Sequence, residues 1–206
     1  MTPLGNWLKN LRKGAPVIVV SGLPRSGTSM AMKMLEAGGM PLVVDGIRTA
    51  DEDNPKGYYE LERVKELDKG GDHGWVKDAR GKAVKIISFL LKDLPGDSRY
   101  KIIFMHRDLS EVLASQAKML ERRGEKSQTD DGRMRDLYTK HLAKTKELLA
   151  SDERFEVLDL QYKHVIEMPG DAAHKIREFV GLPLDLEKMA QVADRGLYRN
   201  RGEGRD

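Results

Sequence analysis

The chain has 206 residues, 39% of them hydrophobic and 33% charged, and a formal net charge of +3. That length holds one full-sized core and leaves little for a second. The mild charge, with acids interrupting every basic stretch, does not suit a nucleic-acid binder, which concentrates its cations on one face. There is no cysteine, which excludes a disulfide scaffold and a thiol nucleophile and suits a reducing compartment.

The first apolar run, Ala15 to Val20, is too short for a secretory segment and opens into glycines instead of a cleavage site. Nothing approaches the roughly 18 apolar residues of a membrane span. The expectation is a cytoplasmic protein. Pro16 to Ser21 (PVIVVS) is apolar without alternation, which predicts a strand covered on both faces. Residues 27–38 predict a helix stopped by Gly38 and Gly39. Pro41 to Val44 predicts a short strand. Asp45 to Tyr59 reads as a charged loop, and a helix is expected from near Glu60 to just before Gly70.

Residues 83–88 (AVKIIS) predict a strand, and Phe89 to Leu94 a helical turn broken by Pro95-Gly96. Lys101 to His106 (KIIFMH) is a second clear strand. Asp108 to Arg123 predicts an amphipathic helix, with Asp108 and Glu111 at the spacing of a capping box. Residues 132–150 predict another. The intervening segment, residues 121–136, has five basic and five acidic residues and reads as a flexible connection. Phe155 to Leu160 predicts a strand, and Ala172 to Val180 a helix closed by Gly181. Arg195 to Asp206 is a basic C-terminal segment with four arginines. Strands alternating with helices predict one α/β domain over residues 1–206, three layers with a largely parallel central sheet flanked by helices.

The sequence VSGLPRSGTS, residues 20–29, carries the chemistry. Gly22 and Gly27 have the spacing of a P-loop between a strand and a helix. Such glycines let successive backbone N–H groups converge on a phosphate, and the helix start adds its positive dipole end. Ser26, Thr28 and Ser29 add hydroxyl donors. Nucleotide-hydrolysing P-loops place a lysine where Thr28 stands. Here the cation inside the loop is Arg25. A plain glycine turn would share the spacing, but the hydroxyls and the embedded arginine favour phosphate binding. Further on, Arg107 closes a strand and Ser115 lies two turns into the following helix. Both face an anion if that strand's carboxyl end adjoins the loop. Alternatively, Arg107 pairs with Asp108 or Glu111, and Ser115 fills a tight helix contact.

These segments resemble the sulfotransferase superfamily, especially its bacterial members. Residues 24–29, PRSGTS, are similar to the loop that surrounds the 5′-phosphosulfate of 3′-phosphoadenosine 5′-phosphosulfate (PAPS). Residues 106–120, HRDLSEVLASQAKML, resemble the segment whose arginine and serine hold the 3′-phosphate. Residues 157–169, VLDLQYKHVIEMP, resemble the segment whose tyrosine approaches the adenine. The resemblance implies that Pro24, Arg25, Ser26, Gly27, Thr28, Ser29, Arg107, Ser115 and Tyr162 bind PAPS. GLYRNR, residues 196–201, is similar to a basic segment that closes over the nucleotide, which adds Arg199 and Arg201. It implies no metal, and a small-molecule, carbohydrate or peptide acceptor. Animal cytosolic members use a histidine close after a lysine near AVKIIS. Lys85 fills the lysine place, but Ile86, Ile87 and Ser88 follow it. Other branches use a glutamate, and Glu60 in NPKGYYE is the candidate here, with Asp45, Asp53 and Asp78 behind it. Arg25 and Lys85 are then the electrostatic partners of the transfer. His73, His106 and His141 read as structural, and the histidines lack metal-ligand spacing. Two other readings stand beside this one: a P-loop kinase or phosphotransferase, and a non-catalytic binder of PAP or another nucleotide. Acceptor identity and oligomeric state are open.

Overall fold

The computed structural model describes residues 14–46, 59–125 and 130–193. In chain order, β1 (Val17–Gly22) leads into α1 (Thr28–Ala37). A 3-10 helix, Glu62–Lys69, precedes α2 (Trp75–Asp78) and β2 (Ala83–Lys85). A second 3-10 helix, Ser88–Asp93, precedes β3 (Tyr100–His106). The helices α3 (Leu109–Arg122) and α4 (Asp131–Ser151) lead to β4 (Phe155–Gln161). The chain continues through α5 (Tyr162–Glu167), α6 (Pro169–Val180) and α7 (Leu186–Gln191). The four strands are parallel, in the order β2-β1-β3-β4.

Each strand's alternate side chains feed opposite cores. Ile18, Val20, Ile103 and Met105 point to one side, against Ala31, Met34 and Leu35 of α1 and Ile176 of α6. Val17, Val19, Ile102 and Phe104 point to the other, with Trp75, Val76 and Leu91. Leu142, Leu148 and Leu149 of α4 pack on this second core. The three expected layers are therefore present. Because the β1-to-β2 and β3-to-β4 connections run in opposite directions across the sheet, right-handed crossovers put α1 and α4 on opposite faces. The strand order reverses between β1 and β3, and that reversal opens a crevice at their carboxyl ends.

Local differences from expectation have simple causes. The segment after Glu60 is a 3-10 helix, burying only Val64 and Leu67. Two apolar residues three apart match the three-residue repeat of that helix. Ser88 and Leu91 repeat the pattern. Pro41 to Val44 forms one bridge, Leu42 to Ala83, in place of a strand. The strand expected over residues 83–88 stops at Lys85, because the chain turns into the second 3-10 helix. The short α2, α5 and α7 have too few residues to show a periodicity; α6 starts at Pro169, a residue suited to the first helical position.

Candidate functional site

The register places Gly22 of β1 opposite Met105 of β3. The turn after β1 and the residues after β3 are therefore neighbours. Gly22 has φ +146°, and a Cβ there would lie 2.5 Å from both the Met105 carbonyl oxygen and Ser26 Oγ. Gly27 has φ +102°, and a Cβ there would meet the Tyr162 ring at 2.4 Å. Arg25 takes the left-handed region at φ +69°, where a side chain with a Cβ is uncommon and marks a constrained turn. Gly27 is the N-cap of α1, and no side chain caps that helix. Ser26 is buried, and its Oγ has no hydrogen-bond partner. A buried, orphaned hydroxyl beside an uncapped helix start fits an anion as the missing acceptor.

Arg107 ties this turn to two helices. Its Nε donates to Glu111 Oε2 at 2.9 Å, and its Nη1 donates to the Arg25 carbonyl at 3.1 Å. Its guanidinium carbon lies 4.4 Å from the centre of the Tyr162 ring, a cation–π contact. The Arg107 and Glu111 side chains are 8% and 9% exposed, so this is a nearly buried pair. Arg25 Nε donates to Ser115 Oγ at 3.0 Å. The loop and the Arg107–Ser115 pair thus lie side by side, joined by two hydrogen bonds. The pairing of Arg107 with Glu111 coexists with the contact to the loop. Burial raises the Tyr162 hydroxyl pKa, so the ring stays neutral under the guanidinium.

At the β2 end, Lys85 lies in register with Val20, two residues before the glycine turn. Its Nζ donates to Glu60 Oε1 at 3.4 Å. The structure therefore joins the two residues expected at the reacting end. Their side chains are 9% and 24% exposed, so Glu60 keeps access to solvent. Asp45 instead braces the backbone on either side of Leu61. Its carboxylate accepts from the Glu62 N–H at 2.5 Å, and its own N–H donates to the Glu60 carbonyl at 3.2 Å. Asp78 is exposed at the end of α2. Pro24, Thr28 and Ser29 lie in the loop and the first turn of α1. Asp53, Arg199 and Arg201 are outside the described residues.

Two of the histidines singled out in the sequence have structural partners. His106 Nε2 meets Asp159 Oδ1 at 2.5 Å. His141 Nε2 meets Ser88 Oγ at 2.8 Å, and its ring stacks on Phe89 at 3.7 Å. Among the described residues no group of three His, Cys, Asp or Glu side chains is arranged to hold a metal ion. No described helix is long and apolar enough to cross a membrane.

Residues 15–200 match the family described as "Sulfotransferase domain". The chain belongs to that family. No curated protein matches it closely enough to add to this. Among solved structures, this sulfotransferase domain is similar to the sulfotransferase domain of the Synechococcus PCC 7002 olefin synthase. Identity there is 15%, coverage is 94% of this chain and 86% of that one, and the TM-score is 0.53. It is similar to a sulfotransferase of Mycobacterium tuberculosis H37Rv at 13% identity, covering 93% and 74%, with a TM-score of 0.56. A mouse sulfotransferase complexed with PAP matches at 17% identity, covering 87% and 62%, with a TM-score of 0.51. At these identities the likeness is one of fold.

Sequence reading missed Tyr59, whose hydroxyl donates to Glu36 Oε2 on α1 at 2.7 Å. Its signal was only its position beside Glu60. It gave Glu111 a capping role and one possible pairing; the structure adds that Glu111 anchors the Arg107 guanidinium, which also holds the Arg25 carbonyl.

Proposed function

We propose that this sulfotransferase domain moves a sulfuryl group from PAPS to a hydroxyl or amine of its acceptor. The observation that carries the reading is the Arg25–Ser115 hydrogen bond with Arg107 on the Arg25 carbonyl. It joins a phosphate-type loop that lacks the P-loop lysine to a second anion-binding pair. A donor with a 5′-phosphosulfate and a separate 3′-phosphate uses both. In this reading the loop N–H groups, Arg25, Ser26, Thr28 and Ser29 hold the 5′-phosphate, with Pro24 and Gly27 shaping the turn. Arg107 and Ser115 hold the 3′-phosphate, Tyr162 sits towards the adenine, and Arg199 and Arg201 close over the nucleotide.

The acceptor oxygen or nitrogen attacks sulfur, and the bond from sulfur to the 5′-phosphate oxygen breaks. PAP leaves with the electron pair. Arg25 and Lys85 stabilise the negative charge that grows on the departing phosphate oxygen. Glu60 takes the acceptor's proton, with Lys85 holding its carboxylate. In this reading no metal is needed, because Arg25 and Lys85 supply the positive charge at the departing oxygen. A chain without cysteine suits work in the reducing cytoplasm.

Calorimetry tests the donor half: PAP binds without added metal, and ATP does not compete at equal concentration. Selective ATP binding would favour the phosphotransferase reading. Incubating PAPS with pooled hydroxyl and amine acceptors, and reading released PAP and transferred mass, tests the chemistry. PAP binding without transfer across sugar, peptide and phenolic pools would leave a nucleotide-binding protein.

A further inference from the structure

Tyr59 sits in a conformation that its residue type disfavours. Its φ is +51°, and an aromatic side chain in the left-handed region needs surrounding contacts to hold it there. Tyr59 and the residues after it are tied down. The Tyr59 hydroxyl donates to Glu36 Oε2 at 2.7 Å, near the end of α1. The Asp45 N–H holds the Glu60 carbonyl, and the Asp45 carboxylate holds the Glu62 N–H. Between these ties, the Glu60 carboxylate meets Lys85 Nζ at 3.4 Å. A backbone turn of this kind redirects the next side chain, so the residue after it points where an extended chain would not send it.

We propose that Tyr59 is a positioning residue for Glu60: its hydroxyl, donated to Glu36, holds the left-handed turn that aims the Glu60 carboxylate at Lys85. The helix α1 that begins at the phosphate-type loop thereby also sets the reacting carboxylate. One element carries both the donor's anchor at its first turn and the base's brace at its last. The Tyr59 hydroxyl keeps its proton well above neutral pH, because burial and the Glu36 carboxylate both raise its pKa. The hydroxyl therefore still carries its proton at neutral pH and can donate. The catalytic part of this inference rests on the reading of Glu60 as the base; the geometric part does not.

The test uses the full chain with PAP bound, and 4-nitrophenol as the probe acceptor for sulfuryl transfer from PAPS. Crystal structures and transfer rates are compared for wild type, Tyr59→Phe, Glu36→Gln, Glu36→Ala and Glu60→Gln. Tyr59→Phe keeps the ring and removes only the donor. The expected result is a Glu60 carboxylate that has left Lys85, a kcat lowered about tenfold by misplacement of the base, and an unchanged affinity for PAP. Glu36→Ala should copy it. Glu36→Gln keeps an acceptor oxygen and should restore both the contact and the rate. A Tyr59→Phe structure with Glu60 still on Lys85 would overturn the proposal whatever the rate does. If Glu60 moves but Glu60→Gln itself leaves kcat unchanged, the positioning stands and the assignment of the base falls.

Discussion

Arg25 and Ser115, 90 positions apart in the chain, are joined by a hydrogen bond of 3.0 Å from Nε to Oγ. The contact exists because β1 and β3 are adjacent and parallel, so the turn leaving one meets the helix that follows the other. It brings a cation of the loop and a hydroxyl of α3 together; under the proposed reading both belong to the donor site.

Ser115→Ala should therefore weaken PAP binding while leaving the fold intact. A hydrogen bond to a charged group is worth roughly 2 kcal/mol, about 30-fold in affinity. Calorimetric titration of PAP checks this. An unchanged affinity, with an unchanged melting temperature, would remove Ser115 from the donor site.

Arg107 should matter for stability as well as binding. Arg107→Ala leaves Glu111 nearly buried without its guanidinium, and breaking such a pair costs about 3 kcal/mol. Arg107→Lys should rescue little, since a single ammonium cannot meet Glu111, the Arg25 carbonyl and the Tyr162 ring together. The double variant Arg107→Met with Glu111→Leu should recover most of the stability and none of the PAP affinity. Denaturant midpoints and PAP titration separate the two effects.

The two loop glycines should differ in how they can be repaired. Gly22→Ala drives its methyl against the Met105 backbone carbonyl, which cannot move without shifting β3. Gly27→Ala meets a ring edge, Tyr162. Both also force alanine into positive φ, so each should cost on the order of 2–3 kcal/mol. Adding Tyr162→Leu should recover part of the loss at Gly27 and none at Gly22. Urea unfolding of the single and double variants forms the double-mutant cycles that decide it.

A pH dependence follows from His141. Burial lowers its pKa below the ordinary 6.5, so the folded protein resists protonating it and the unfolded chain does not. The stabilisation is present above the unfolded pKa of 6.5 and is lost as pH falls through the folded value. His141→Gln should flatten the melting-temperature slope in the window just below pH 6.5. The lowered aspartates Asp97 and Asp108, held down by Lys77 and by Ser110, act further into acid. A slope unchanged in His141→Gln would assign that window to other groups.

The strands and long helices were legible because they carry long apolar runs or a clear repeat. PVIVVS and KIIFMH fill both cores, and Leu109 to Arg122 shows its stripe and its Asp108 cap. The 3-10 helices were not, since two buried residues three apart suit either helix type over so short a span. At the site, local pattern marked the loop residues, and the expected parallel sheet put Arg107 and Ser115 on the loop's side, but the individual contacts were not readable. The Arg25–Ser115, Glu60–Lys85 and Tyr59–Glu36 contacts span 90, 25 and 23 positions. They depend on strand order and on a left-handed turn at a tyrosine, which no local propensity announces.

Gly22 packs so tightly between the Met105 carbonyl and Ser26 that the glycine turn is specified by the backbone itself. The proposed reacting end is different: Glu60 meets Lys85, and Tyr59 meets Glu36, through their side chains. A lineage can exchange such pairs by ordinary substitution, whereas it cannot enlarge Gly22 without rebuilding β3. Under the proposed reading, substitutions around Glu60 and Lys85 can therefore reshape the acceptor end while the glycine turn keeps its backbone packing.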